Sequence, residues 1–272
     1  MTHTRPIRIA AQLHPQHGTW AALGSAVDRS EDLGYDAAYN WDHFFPLYGD
    51  PDGSHFEAFT TLAAWAERTS SITLGTLVTC AAYRNANLVA DSIRTIDHIA
   101  GGGRTVFGVG AGWFERDFDD YGYKYATTGE RAAQLAKSIR VVRHRWQILN
   151  PSPVQPVPVM VGGVGERLTL RIVAEQADIW HAMFPAHAAD LHGPIAALGR
   201  HCADVGRSPD DLEWAVGVEP DDLDRFLSVE APVLLAAGFT QFTLGFNGPD
   251  WDVSAGRDWL LWRDHMNEQR CS

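Results

Sequence analysis

Asp42 and His43 stand side by side where the apolar run "AAYNWDHFF" (residues 37–45) ends. A carboxylate taken out of water must be paired or hydrogen-bonded. An imidazole changes charge near neutral pH and can carry a proton. An acid and an imidazole closing a buried segment therefore either hold something or are held. Three further groups could do chemistry. His14 and His17 in "LHPQH", with the more distant His181, carry the donors of a metal-dependent hydrolase. Gly162, Gly163, Val164 and Gly165, followed by Glu166, form a glycine-rich turn whose backbone could approach a phosphate at a helix start. Cys80 and Glu115 each follow an apolar run directly or closely.

Each group has a plainer reading. A zinc site needs donors from later segments, but "GAGWFE" and then glycines follow the next apolar runs, so the histidines read as polar lining and no metal is expected. "GGVGE" has the composition of any tight turn. "GVGAG" (108–112) resembles a dinucleotide fingerprint but lies within a strand-like run, with no acidic residue at the right distance. The two lysines, Lys124 and Lys137, fall at no strand end, which removes Schiff-base chemistry. Cys80, Cys202 and Cys271 are far apart and unpaired in spacing, as in reduced thiols of a cytoplasmic protein.

The elements that must position these groups alternate along the chain. Strand-like runs occur at 8–13, 37–41, 73–79, 105–112, 158–163, 178–183, 212–218 and 239–246. Between them lie helical stripes such as Val89, Ile93, Ile96 and Ala100, or Leu135, Ile139, Val142 and Trp146. A helix is expected to open at Glu166, directly after the glycines. Eight strand–helix units in 272 residues predict one α/β domain over 1–272, a closed (β/α)8 TIM barrel, with an open doubly wound sheet as the alternative. In a barrel, chemistry gathers at the carboxyl ends of the strands, where all these residues fall.

A net charge of −12 argues against nucleic acid or an anionic membrane as partner, and leaves a small-molecule substrate. "MTHTRPIRIA" has no apolar signal core, and no stretch approaches the roughly 18 apolar residues of a membrane span.

Several ordered runs, "LGYDAAYNWDHFF", "FEAFTTLAAWAERTSSITLGTLVT", "YRNANLVADSIRTIDHIAGGGRTVFGVGAGWFERDFDDYGY" and "VPVMVGGVGERLTLRIVAEQADIW", resemble the luciferase-like monooxygenase superfamily. Within it the chain is most similar to the oxidoreductases that use the deazaflavin coenzyme F420. The resemblance implies a ring lying across the strand ends, with Asp42 and His43 at its reactive edge. A non-proline cis peptide at Leu77–Val78 would support the ring, Thr79, Cys80 and Gly112 would wall it, and Gly162 to Gly165 would meet its phosphate. His43 would then be the acid/base or ring contact, Asp42 would orient the ring or tune the imidazole, and Glu115 would be a second proton donor. The resemblance also implies a homodimer.

Departures from the pattern bear on the substrate. The family's sugar-phosphate dehydrogenases place a glutamate where this chain has Trp113, and a tryptophan where it has Leu47; they also bind the sugar phosphate through lysines. Sugar-phosphate oxidation is therefore not expected. A more apolar pocket, lined by Phe44, Phe45, Trp113 and Phe114, is. The expected activity is hydride transfer between F420 and a small, fairly apolar organic molecule. The alternatives are an FMN-dependent monooxygenase, a metal-dependent hydrolase and a non-catalytic cofactor-binding barrel.

Overall fold

Alternating apolar runs and amphipathic stretches close into a parallel barrel in the computed structural model of the chain, which describes residues 5–219 and 223–271. The Cys271 side chain lies outside the described residues. In chain order the elements are β1 (Arg8–Leu13), α1 (Trp20–Leu33), β2 (Ala37–Asn40), α2 (Ala58–Arg68), β3 (Thr73–Thr76), β4 (Thr79–Cys80), α3 (Ala86–Ile99) and β5 (Thr105–Gly110). There follow α4 (Glu115–Asp120), α5 (Thr128–Ile148), β6 (Val159–Gly162), α6 (Thr169–Gln176), β7 (Ile179–His181), α7 (His192–Asp204) and β8 (Glu213–Val218). The chain ends with α8 (Leu223–Arg225), α9 (Ala231–Ala237), β9 (Phe239–Phe246) and α10 (Arg257–Cys271). β1 bonds β2 and β9, the order continues through β8, β7 and β6 to β5, and β3 bonds both β2 and β5, so the sheet closes as a (β/α)8 TIM barrel.

β3 and β4 are two pieces of one barrel strand, where an unbroken run over 73–79 was expected. Gly75 pairs with Val106 and Thr79 with Val109, so four steps on one strand oppose three on the other. That is a one-residue bulge, and it carries Leu77 and Val78, whose shared peptide is cis as the resemblance implies. The neighbouring strand is shaped to receive it. A Cβ at Gly108 would fall 1.8 Å from the Thr76 carbonyl oxygen, so only glycine fits beneath the bulge. The Thr76 hydroxyl sits 2.7 Å from the Gly108 carbonyl oxygen and equally close to the Thr79 hydroxyl.

Alternation along the strands sends one set of residues into the barrel. Ala10, Tyr39, Leu77, Val106, Met160, Ile179 and Ala215 fill its lower interior. Two residues further along, the inward positions become Gly108 and then Gly110 on β5, Gly162 on β6 and Gly217 on β8. The filling stops there, and a cavity begins.

Outside the barrel, Val89, Ile93 and Ile96 of α3, Leu135, Ile139, Val142 and Trp146 of α5, and Trp259 of α10 pack against the sheet. Each such side chain, fully buried, stabilises by about 1.5–3 kcal/mol. Gly34 closes α1 in the left-handed conformation, and Thr127 with Glu130 forms a capping box at the start of α5. One helix start differs from expectation: α6 begins at Thr169, not at Glu166, because residues 163–168 form a loop and turn. No helix among the described residues is long and apolar enough to cross a membrane.

Candidate active site

The cavity encloses about 580 Å³ at the carboxyl ends of the strands. Its floor is the bulge. A Cβ at Gly110 or Gly162 would fall 2.7 or 2.8 Å from a Val78 methyl, so Val78 lies directly on these two glycines. Leu77, Val78, Cys80, Gly110 and Gly112 line the cavity beside Asp42 and His43.

His43 is held by a residue that sequence reasoning did not select. Its Nδ1 lies 2.6 Å from Asp117 Oδ2. Asp117, on the inner face of α4, is fully buried and also accepts from the Phe44 backbone N–H and the Tyr83 hydroxyl, each at 3.0 Å. A carboxylate only accepts, so the proton of this contact is on Nδ1, and in the neutral ring the lone pair is on Nε2. Nε2 has no protein partner among the described residues, while the ring lines the cavity. Trp41, Trp113 and Phe114 meet the ring edge-on at centroid distances of 5.6–5.9 Å and fix its tilt.

Asp42 does not reach this imidazole. Its Oδ2 accepts from Arg84 Nη1 at 2.6 Å and from the Cys80 backbone N–H at 3.1 Å. Arg84 in turn donates to Glu57, which caps α2 through the Thr60 N–H, and lies over the Phe59 ring. Burial raises the Asp42 carboxyl above its ordinary range, against the pull of Arg84. Its Oδ1 is buried with no partner among the described residues, an acceptor left open in the cavity wall. The carboxylate that holds the His43 ring is thus Asp117 and not Asp42, to which the resemblance gave that part.

Other expected residues are placed differently. Glu115 is exposed on the outer face of α4 and does not line the cavity; the acid two residues later points inward instead. Thr79 lies beneath the floor, bonded to Thr76. Among the four expected aromatic lining residues only Trp113 borders the cavity. Phe44 stacks on Tyr121 at 3.9 Å, Phe45 lies under Arg116, and Phe114 meets the His43 ring edge-on. Burial pushes the Cys80 thiol up to about 12, so it is a packing group and not a nucleophile.

The histidines considered as metal ligands are engaged in hydrogen bonds. His181 Nδ1 accepts from the Met183 N–H at 3.0 Å, and Nε2 lies 3.1 Å from the Thr243 hydroxyl. His14 bonds Gln12 and Asn247, and His17 bonds the Tyr48 carbonyl. Among the described residues no three potential ligands gather.

The glycine turn borders the cavity through Gly162, Gly163, Val164 and Gly165, with Thr169 behind. The Gly163 N–H is taken by the His181 carbonyl at 3.0 Å, and Gly163 has φ +135°, open to glycine. The N–H groups of Val164 and Gly165 have no hydrogen bond among the described residues. Two free donors ahead of a helix start are suited to an anion.

The comparisons with known proteins agree with this architecture. The sequence pattern of the luciferase-like monooxygenases matches residues 2–220. An F420-dependent glucose-6-phosphate dehydrogenase of Amycolatopsis mediterranei is 30% identical over 155 residues, which is 50% of this chain and 46% of that protein, so the chain spans about half of that relative. The solved structure of an F420-dependent secondary alcohol dehydrogenase in complex with an F420-acetone adduct superposes with a TM-score of 0.80 at 18% identity, over 96% of this chain and 98% of that one. A riboflavin lyase with modified FMN and riboflavin superposes at 0.74 with 10% identity, over 98% and 92%. At such identities the two structures speak for the fold, and the sequence match speaks for kinship: the chain belongs to the luciferase-like monooxygenase family.

Proposed function

We propose that the protein is an F420-dependent oxidoreductase that transfers a hydride between the deazaflavin and a small, uncharged organic substrate. The observation that carries the reading is the His43–Asp117 pair, an imidazole locked to present Nε2 beside a floor built from a bulge and two glycines. That arrangement supplies a proton carrier next to a surface on which a flat ring can rest. Kinship with F420-dependent relatives favours the deazaflavin over the other flavin-like rings.

The cavity suits the cofactor on its own chemistry. The open Asp42 Oδ1 can accept from a ring N–H or hydroxyl. The free N–H groups of Val164 and Gly165 can receive a phosphate. When bound, the deazaflavin supplies hydride acceptance or donation. The chain supplies the rest. With an alcohol as substrate, His43 Nε2 takes the hydroxyl proton as the carbinol hydrogen leaves with its electron pair, and the product is a carbonyl. In the reverse direction the imidazolium returns that proton. Asp117 balances the charge on the ring in either case.

No Lys or Arg is among the described residues that line the cavity. This favours an uncharged substrate over a sugar phosphate. Fluorescence titration with F420 and with FMN tests the proposal: F420 binds more tightly, whereas equal or tighter FMN binding would favour an oxygen-activating monooxygenase.

A further inference from the structure

The wall opposite the glycine turn carries a chain of hydrogen bonds whose polarity can be worked out from one end. Gln12, inside β1, donates from Nε2 to the Leu77 carbonyl at 2.7 Å. A backbone carbonyl only accepts, so this contact fixes which end of the amide faces the floor. Gln12 Oε1 is then turned to His14, 3.2 Å from Nε2, and an oxygen with no hydrogen requires Nε2 to be the donor.

His14 is nearly fully buried and stacks on Trp41 at 4.1 Å with the planes 13° apart. Burial lowers its pKa to about 4, so the ring is neutral at neutral pH and has one proton. With that proton on Nε2, Nδ1 has a lone pair. The atom of the Asn247 amide that stands 2.9 Å from it is Oδ1, and two acceptors do not share one hydrogen bond. The two ends of a side-chain amide are nearly equal in size, and hydrogen-bond chemistry decides which one faces a given partner. A lone pair on Nδ1 calls for the NH2 end of Asn247. The carbonyl oxygen is thereby the free end of an amide that lines the cavity beside His14.

We propose that Asn247 is a specificity-determining residue, whose carbonyl oxygen receives a hydrogen bond from a second, non-reacting hydroxyl of an uncharged alcohol. The inference rests on the reading of the cavity as the site of deazaflavin-linked alcohol oxidation, and adds the substrate class. The absence of Lys and Arg from the lining agrees with a neutral donor and not with a carboxylate or phosphate. The floor and the substrate wall are also joined, since the Leu77 carbonyl beneath the cofactor position sets the polarity of Asn247 through Gln12 and His14.

Two measurements test it. NMR of the imidazole nitrogens in isotope-labelled protein at neutral pH is expected to show His14 neutral with the proton on Nε2. A proton on Nδ1, or an imidazolium, would overturn the inference, because Asn247 would then present its NH2 end or answer to a charge. The second compares F420-linked oxidation of propylene glycol and isopropanol, which differ by one hydroxyl. The wild-type kcat/KM ratio favours the glycol by about tenfold, the usual worth of one hydrogen bond. Asn247→Leu removes that preference, and Asn247→Asp, which retains an acceptor, restores part of it. A ratio unchanged in Asn247→Leu would overturn the inference. If neither alcohol is oxidised, the reading of the function fails, while the ring-nitrogen spectrum still decides the polarity of Asn247.

Discussion

His43 Nδ1 and Asp117 Oδ2 lie 2.6 Å apart, and this contact determines which imidazole nitrogen the cavity receives. Everything proposed for the chemistry depends on it. A ring held through Nδ1 offers its other nitrogen in a fixed direction, and a substrate needs that direction more than it needs the charge.

His43→Ala is expected to lower turnover by about 10²–10⁴, the usual worth of a positioned acid or base. Asp117→Asn leaves a neighbour of equal size but lets the ring take the wrong tautomer, and should cost about 10²-fold or more in kcat. Steady-state rates beside F420 affinity check this. Loss of cofactor binding with an unchanged kcat would assign the pair to binding and not to proton transfer.

Among the described residues Arg84 is the one cation paired with the buried Asp42. Arg84→Met leaves that carboxylate without its partner, and should destabilise the fold by about 3–5 kcal/mol. The double change with Asp42→Asn is expected to recover much of this loss in urea unfolding. A simple sum of the two single effects would mean that the ion pair is not what the stability responds to.

Gly108 receives the bulge. Gly108→Ala drives a methyl into the Thr76 carbonyl, and the backbone must move. The expected cost is about 1–3 kcal/mol or more, with weaker F420 binding as the floor shifts. Gly129→Ala, where the added methyl meets nothing within 4 Å, serves as the control and should leave the melting temperature level or higher.

Stability should also decline in mild acid. Burial lowers the His14 and His181 pKa values to about 4 and about 3. Both lie below the unfolded value of about 6.5, so between these limits the unfolded chain binds more protons than the native one. Their contribution is therefore complete above about pH 6.5 and is lost as pH falls toward their folded values. Urea midpoints measured at about pH 7.5 and about pH 5 are expected to differ by a few kcal/mol when converted through the slope. His181→Gln should lower the neutral value and flatten the dependence; an unchanged slope in both His14→Gln and His181→Gln would place the acid sensitivity elsewhere.

Local patterns along the chain were enough for the barrel and for the end of it that matters. Strand alternation, the apolar stripes of α3 and α5, and capping residues such as Gly34 are local patterns, and each is set by residues within a few positions of one another. The pair Asp42–His43 and the glycine turn were likewise visible in short runs, while the Leu77–Val78 position came from the family resemblance. Which side chain holds which emerges from the folded chain alone. Asp117 lies 74 residues from His43, Arg84 42 residues from Asp42, and Asn247 233 residues from His14. No local period relates such partners. The choice between Glu115 and Asp117 shows the reason most directly. Two steps along a helix turn a side chain by about 200°, so of two acids in one short helix the first faces solvent and the second faces the imidazole. Which face turns inward is set by the barrel against which α4 packs.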